Sequence, residues 1–147
     1  MAATVREAIR ELAASMQQTL EALLDLPDEE LLEPSSHACA QGKDVWTLIT
    51  NDIDHEKIHV GQIAEGRYEA RITQTRLERL IAEWLVERSR LIGSLVGLSD
   101  EEFNQETAPG GWTYRQVAKH TMLVEQDSLR NIQEAIGARS SEVGSRG

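Results

Sequence analysis

The sequence predicts an all-α fold: a four-helix bundle with an internal pseudo-twofold repeat of two helical hairpins. Three observations carry that expectation. Apolar residues recur at helical spacing through four long segments, β-branched runs are absent, and aromatics make up only 4% of the chain. Helix starts and stops punctuate those segments at the right places. The chain also states nearly the same pattern twice. Leu26-Pro27-Asp28-Glu29-Glu30-Leu31, then Trp46-Thr47, then His55 is echoed by Leu98-Ser99-Asp100-Glu101-Glu102-Phe103, then Trp112-Thr113, then His120. The offsets are 72, 66 and 65 residues, so the copies differ mainly in the loop before the tryptophan.

The first helix is expected from about Thr4 to Leu26, because Val5, Ile9, Leu12, Met16, Leu20 and Leu23 follow the helical period. Pro27 stops it, and Asp28-Glu29-Glu30 starts a short turn or helix. Pro34 to Lys43 reads as loop. The second helix begins near Asp44 or Thr47, either of which can cap it, and ends before Gly66. The third opens at Thr75 with Glu78 completing a capping box, buries a stripe through Leu77, Leu80, Ile81, Trp84, Leu91, Ile92 and Leu95, and stops at Gly97. Ser99 and Glu102 repeat the box for one short turn, and Pro109-Gly110-Gly111 resets the chain direction. Thr113 and Gln116 then start the fourth helix, Trp112 is placed to staple onto Val117, and Gly137 is the expected stop. Residues 1–137 are thus expected as a single domain and 138–147 as a flexible C-terminal tail.

Composition narrows the function. A formal net charge of −10, from 15 Lys and Arg against 25 Asp and Glu, argues against nucleic acid, whose phosphates need clustered cations. It argues equally against an anionic membrane surface, and no window has the apolar length of a membrane span. One cysteine, Cys39, cannot form an internal disulfide, which fits a cytoplasmic protein.

The histidines carry the chemistry. His55 and His59 are four residues apart, hence on one face of the second helix a turn apart. His120 falls within the apolar face of the fourth helix, eight residues after Trp112, as His55 comes nine after Trp46. Two imidazoles at that spacing suit one divalent metal, and a third from a facing helix leaves a position open for water or substrate. The plainer reading is three core histidines, each satisfied by an ordinary hydrogen bond. Asp52 and Asp127 are candidates to orient an imidazole from behind, or are simply rim carboxylates.

His55-Glu56-Lys57-Ile58-His59 also satisfies the H-E-x-x-H pattern of zinc proteases, with Glu56 as general base. The extended form wants Gly where Gln62 stands, no later His has the required spacing, and no strand is predicted to hold a peptide. A metalloprotease is therefore the least favoured function. Glu56 remains the candidate base beside a metal. His37 and Cys39, in the loop before the second helix, have the types of a base and a nucleophile but no third partner, and read as spectators.

Two segments resemble the DinB/YfiT-like superfamily of metal-binding four-helix bundles. His55-x-x-x-His59-Val60-Gly61-Gln62-Ile63 is similar to that family's H-x-x-x-H-x-G-Q segment. Trp112-Thr113-Tyr114-Arg115-Gln116-Val117-Ala118-Lys119-His120 is similar to its W-[ST]-x-R-[EQ]-[VIL]-x-x-H segment. By motif, the family's three histidines fall on His55, His59 and His120. The resemblance implies a divalent metal, often zinc or nickel, frequently a homodimer, and activities such as thiol-dependent S-transfer or hydrolysis. The order departs from the family's, since here the pair precedes the lone histidine. Exchanging the halves of a pseudo-symmetric bundle preserves the spatial cluster.

The expected function is a metal-dependent enzyme that activates water or a small thiol for hydrolysis or S-transfer on a small molecule, with a low-molecular-weight thiol as the further candidate cofactor. The alternative is a non-catalytic bundle that binds a ligand or protein and keeps a vestigial histidine cluster.

Overall fold

The computed structural model describes residues 4–37 and 43–144. Its regular elements are α1 (Val5–Leu23), a 3-10 turn (Asp28–Leu32), α2 (Val45–Glu69), α3 (Arg76–Leu95), α4 (Asp100–Phe103) and α5 (Tyr114–Gly144). No strand occurs among the described residues, so the class is all-α. The chain divides into two compact units, Met1–Leu91 and Ile92–Gly147.

In the first unit, Thr4 caps α1 through a reciprocal box with Glu7, satisfying two amides that the first helical turn leaves without intrahelical partners. The helix ends at Leu23 rather than Leu26, with Leu24, still αR, as its C-cap. Proline disfavours helical dihedrals in the residue before it, so the final turn unwinds ahead of Pro27. The 3-10 turn packs against α2. Between them an isolated antiparallel bridge pairs Pro34 with Asp44, and the Val45 amide donates to the Glu33 carbonyl at 3.0 Å. Asp44 is the cap of α2. Its Oδ1 accepts from the Thr47 amide at 2.9 Å and from the Thr47 hydroxyl at 2.7 Å. α2 runs through Gly66, the expected limit, to Glu69. Gly66 stays helical, and the chain turns only where Arg71 takes a φ of 53°. The predicted box at α3 is present, with the Glu78 amide donating to Thr75 Oγ1 at 3.2 Å and the Thr75 amide to Glu78 Oε2 at 2.7 Å.

In the second unit, Gly97 ends α3's course with a φ of 90°, a left-handed conformation that glycine adopts without steric penalty. Ser99 caps α4 through a box with Glu102. The backbone and side-chain hydrogen bonds from Ser99 hold the Glu102 carboxyl below its ordinary value of 4.5. A second isolated bridge, Glu106 with Thr113, then precedes α5. Thr113 and Gln116 form the predicted box at its start. α5 continues past Gly137 to Gly144, so the backbone of the expected tail is helical as far as that residue. Gly137 stops nothing because no left-handed dihedral is required there, and a helical glycine costs only about 1 kcal/mol relative to alanine.

The apolar stripes sit at the predicted spacing but are not buried. No described residue is fully buried, and Leu77 and Trp84 of the α3 stripe are 66% and 47% exposed. Close packing between elements joins the 3-10 turn to α2 and α4 to α5, leaving the stripes of the long helices uncovered. What defines each unit is therefore local: caps, bridges and i,i+4 hydrogen bonds. No helix among the described residues is long and apolar enough to cross a membrane.

The Asp44 cap makes a pH-dependent contribution. The Thr47 hydroxyl and amide hold its carboxyl below the ordinary 3.8, so the folded state favours the ionised form. Stability from this source is complete above 3.8 and is lost as pH falls through the lower folded value. Thermal unfolding monitored by circular dichroism should show a steeper acid loss for the wild type than for Asp44→Asn, which keeps an acceptor but cannot titrate. Equal slopes would contradict the cap assignment.

Candidate functional site

α2 places the imidazoles of His55 and His59 one turn apart, and their rings meet edge to face with centroids 4.4 Å apart and planes at 70°. Their Nε2 atoms are 2.9 Å from each other. On the far side of the second ring, His59 Nδ1 lies 2.9 Å from Gln62 Oε1. Gln62 is one turn further along the same face. These two distances fix the protons. An amide oxygen only accepts, so His59 Nδ1 carries a hydrogen and donates it to Gln62. In neutral His59 the Nε2 is then a bare lone pair, and the proton between the rings belongs to His55 Nε2.

Two imidazoles so placed can offer two of the ligands that a divalent ion needs. Metal-bound imidazoles present one nitrogen to the ion and donate the other N–H to a carbonyl or carboxylate, and Gln62 Oε1 is an acceptor of that kind. Two nitrogens about 2.0–2.1 Å from a tetrahedral ion stand roughly 3.3 Å apart. The observed 2.9 Å therefore needs an opening of a few tenths of an ångström, within the reach of small χ rotations. Moving the inter-ring proton to His55 Nδ1, the other neutral tautomer, would free both Nε2 lone pairs.

His120 belongs to the other unit. Its ring packs edge to face on Trp112, with centroids 4.6 Å apart and planes at 76°. Neither ring nitrogen has a hydrogen-bond partner among the described residues. The loop before α5 is built to hold Trp112. Both the amide and the hydroxyl of Thr107 donate to the Trp112 carbonyl, at 2.8 and 2.9 Å. The Gly110 amide donates to Glu106 Oε2 at 2.8 Å, with Gly110 at a φ of 71°. A Cβ at Gly111 would come within 2.9 Å of the Ala108 carbonyl oxygen, so the tight turn into Trp112 requires glycine there.

The candidate carboxylates separate into two kinds. Asp52 and Glu56 line a groove of about 370 Å³ between α1 and α2 that His55 also borders, and neither carboxylate has a partner among the described residues. Asp127 is bound one turn along its own helix, to the Arg130 guanidinium and to Asn131 Nδ2. Its carboxylate is thus committed within α5. The His37 amide donates to Ser35 Oγ at 3.1 Å. Cys39 lies outside the described residues. Among those residues, no group of three or more His, Cys, Asp and Glu side chains is gathered as a metal site would gather them. Sequence reasoning missed the role of Gln62, although its i+3 spacing from His59 was a usable signal, and it missed Trp112 as the ring against His120.

Residues 73–144 match the family model described as the DinB family. That span contains Trp112 and His120, whereas His55 and His59 precede it. No curated protein and no solved structure matches the chain.

The proton assignment can be read directly. Long-range ¹H–¹⁵N correlation spectra should show His59 as the Nδ1–H tautomer, and Gln62→Leu should release that preference while helix content is unchanged. An Nε2–H tautomer at His59 in the wild type would contradict the geometry.

Proposed function

We propose that this chain, a member of the DinB family through its matched residues 73–144, is a metal-dependent enzyme whose divalent ion, zinc or nickel, is held by His55, His59 and His120. The observation that carries the reading is the 2.9 Å approach of two Nε2 atoms with Gln62 fixing the tautomer behind one of them. The four-helix bundle with a pseudo-twofold repeat, a homodimer, and a cytoplasmic location belong to the same proposal. His120 enters through its position in the matched segment and its unpartnered ring nitrogens.

Each residue then has a task. Gln62 holds His59 in the ligating tautomer, and Trp112 restricts the rotation of His120 by packing on its edge. Glu56, one residue after His55 and without a competing partner, takes a proton from the reacting group. Asp52 stands one turn before it in the same groove and favours positive charge there. When bound, a divalent ion at three imidazoles supplies Lewis acidity to whatever occupies its open position. The substrate class is a small molecule, with water or a low-molecular-weight thiol as the activated group.

Elemental analysis of protein purified without a histidine tag tests the reading. One equivalent of zinc or nickel per chain is expected, and His55→Ala, His59→Ala or His120→Ala should each reduce occupancy about 10-fold or more at limiting metal. Chelation should lower the unfolding temperature of the wild type and leave that of His120→Ala nearly unchanged. Trace metal that is insensitive to all three substitutions would remove the proposal.

A further inference from the structure

We infer that the groove between α1 and α2 is a binding site for a small amphipathic amine, a molecule with a short alkyl chain ending in an ammonium group. Three features of the first unit point to this occupant. The open groove offers about 370 Å³, room for a small organic ligand. Apolar wall is supplied by Leu12, Met16 and Leu23 of α1 and Ile49 and Ile53 of α2, with the hydroxyls of Ser15 and Thr19 among them. Its charged lining is acidic: Asp52 and Glu56, one turn apart on α2, both border it, neither has a partner among the described residues, and no lysine or arginine lines it. An alkyl chain gains by leaving water against those walls. An ammonium gains by donating to two carboxylates that nothing else occupies, whereas an anion of the same length would meet them with repulsion.

His55 lines the same groove, so an amine held by Asp52 and Glu56 would lie beside the histidine pair. In that respect the inference rests on the metal reading above and specifies its substrate class. The amine site itself is made only of α1 and α2 side chains and stands without His120.

Titration calorimetry on the full chain, as purified and again after chelation, compares hexylamine, hexanol and hexanoate. The expected order is amine over alcohol over acid, with the amine about tenfold tighter than the alcohol. The double substitution Asp52→Asn with Glu56→Gln should erase the preference for the amine and retain the weak alcohol binding. Met16→Trp and Leu12→Trp, which fill the groove from one wall, should each abolish binding of both while circular dichroism and zinc stoichiometry stay as in the wild type. Amine preference in either form of the protein supports the site. Its absence from both forms, preference for the acid, or a groove covered by a second copy, seen as an amine-insensitive dimer in sedimentation, would overturn it. Zinc binding without amine binding rejects the amine site alone, and amine binding without zinc rejects the metal reading alone.

Discussion

One turn of α-helix is the constraint on which the site depends. A rise of about 5.4 Å per turn stacks residues four apart on a common face, and that spacing alone lets two imidazoles bend their Nε2 atoms together. A third residue on the same ladder, Gln62, then holds the outer nitrogen of His59. All of this disappears if α2 frays. The helix start at Asp44, where one carboxylate oxygen takes both the amide and the hydroxyl of Thr47, therefore supports the histidine pair although it lies eleven residues before His55.

The two halves of the chain use the same local device to begin their histidine-bearing helices. A short helical turn, an isolated bridge, and a capping residue that is itself in the bridge lead into α2 at Asp44 and into α5 at Thr113. Tryptophan follows the cap in α2 and precedes it in α5. The consequence differs accordingly. Trp112 sits outside the helix, anchored by Thr107, and its ring reaches His120, whereas Trp46 lies inside α2 and is 58% exposed. A repeated sequence pattern thus supports two different surroundings for the equivalent histidines.

Much of the local structure was legible in the sequence because it follows from short-range rules. The boxes at Thr75, Ser99 and Thr113 form as the residue types dictate, and Gly97 takes the left-handed turn assigned to it. Glycine as a stop was over-read at Gly66 and Gly137, where the helix simply continues. Glycine permits a left-handed cap but does not impose one. The stripe of α3 was legible as a face, but periodicity does not say what covers a face, and Leu77 and Trp84 remain exposed. At the site, the pairing of His55 with His59 was readable from spacing. The commitment of Asp127 to Arg130 and Asn131 was not, since several i+3 and i+4 partners competed for one carboxylate. Glu56 was legible as a candidate base from its place beside His55, but the groove with α1 that it lines was not.

The account turns on whether three imidazoles serve one ion, two of them already converging and the third held against a tryptophan edge. X-ray absorption at the zinc edge of the loaded, untagged protein counts them directly, because imidazole rings leave a distinctive multiple-scattering pattern. The account predicts three imidazoles with nitrogens about 2.0 Å from the ion, and two in His120→Ala. A first shell of oxygens alone, or two imidazoles in the wild type with no change on His120→Ala, would contradict it.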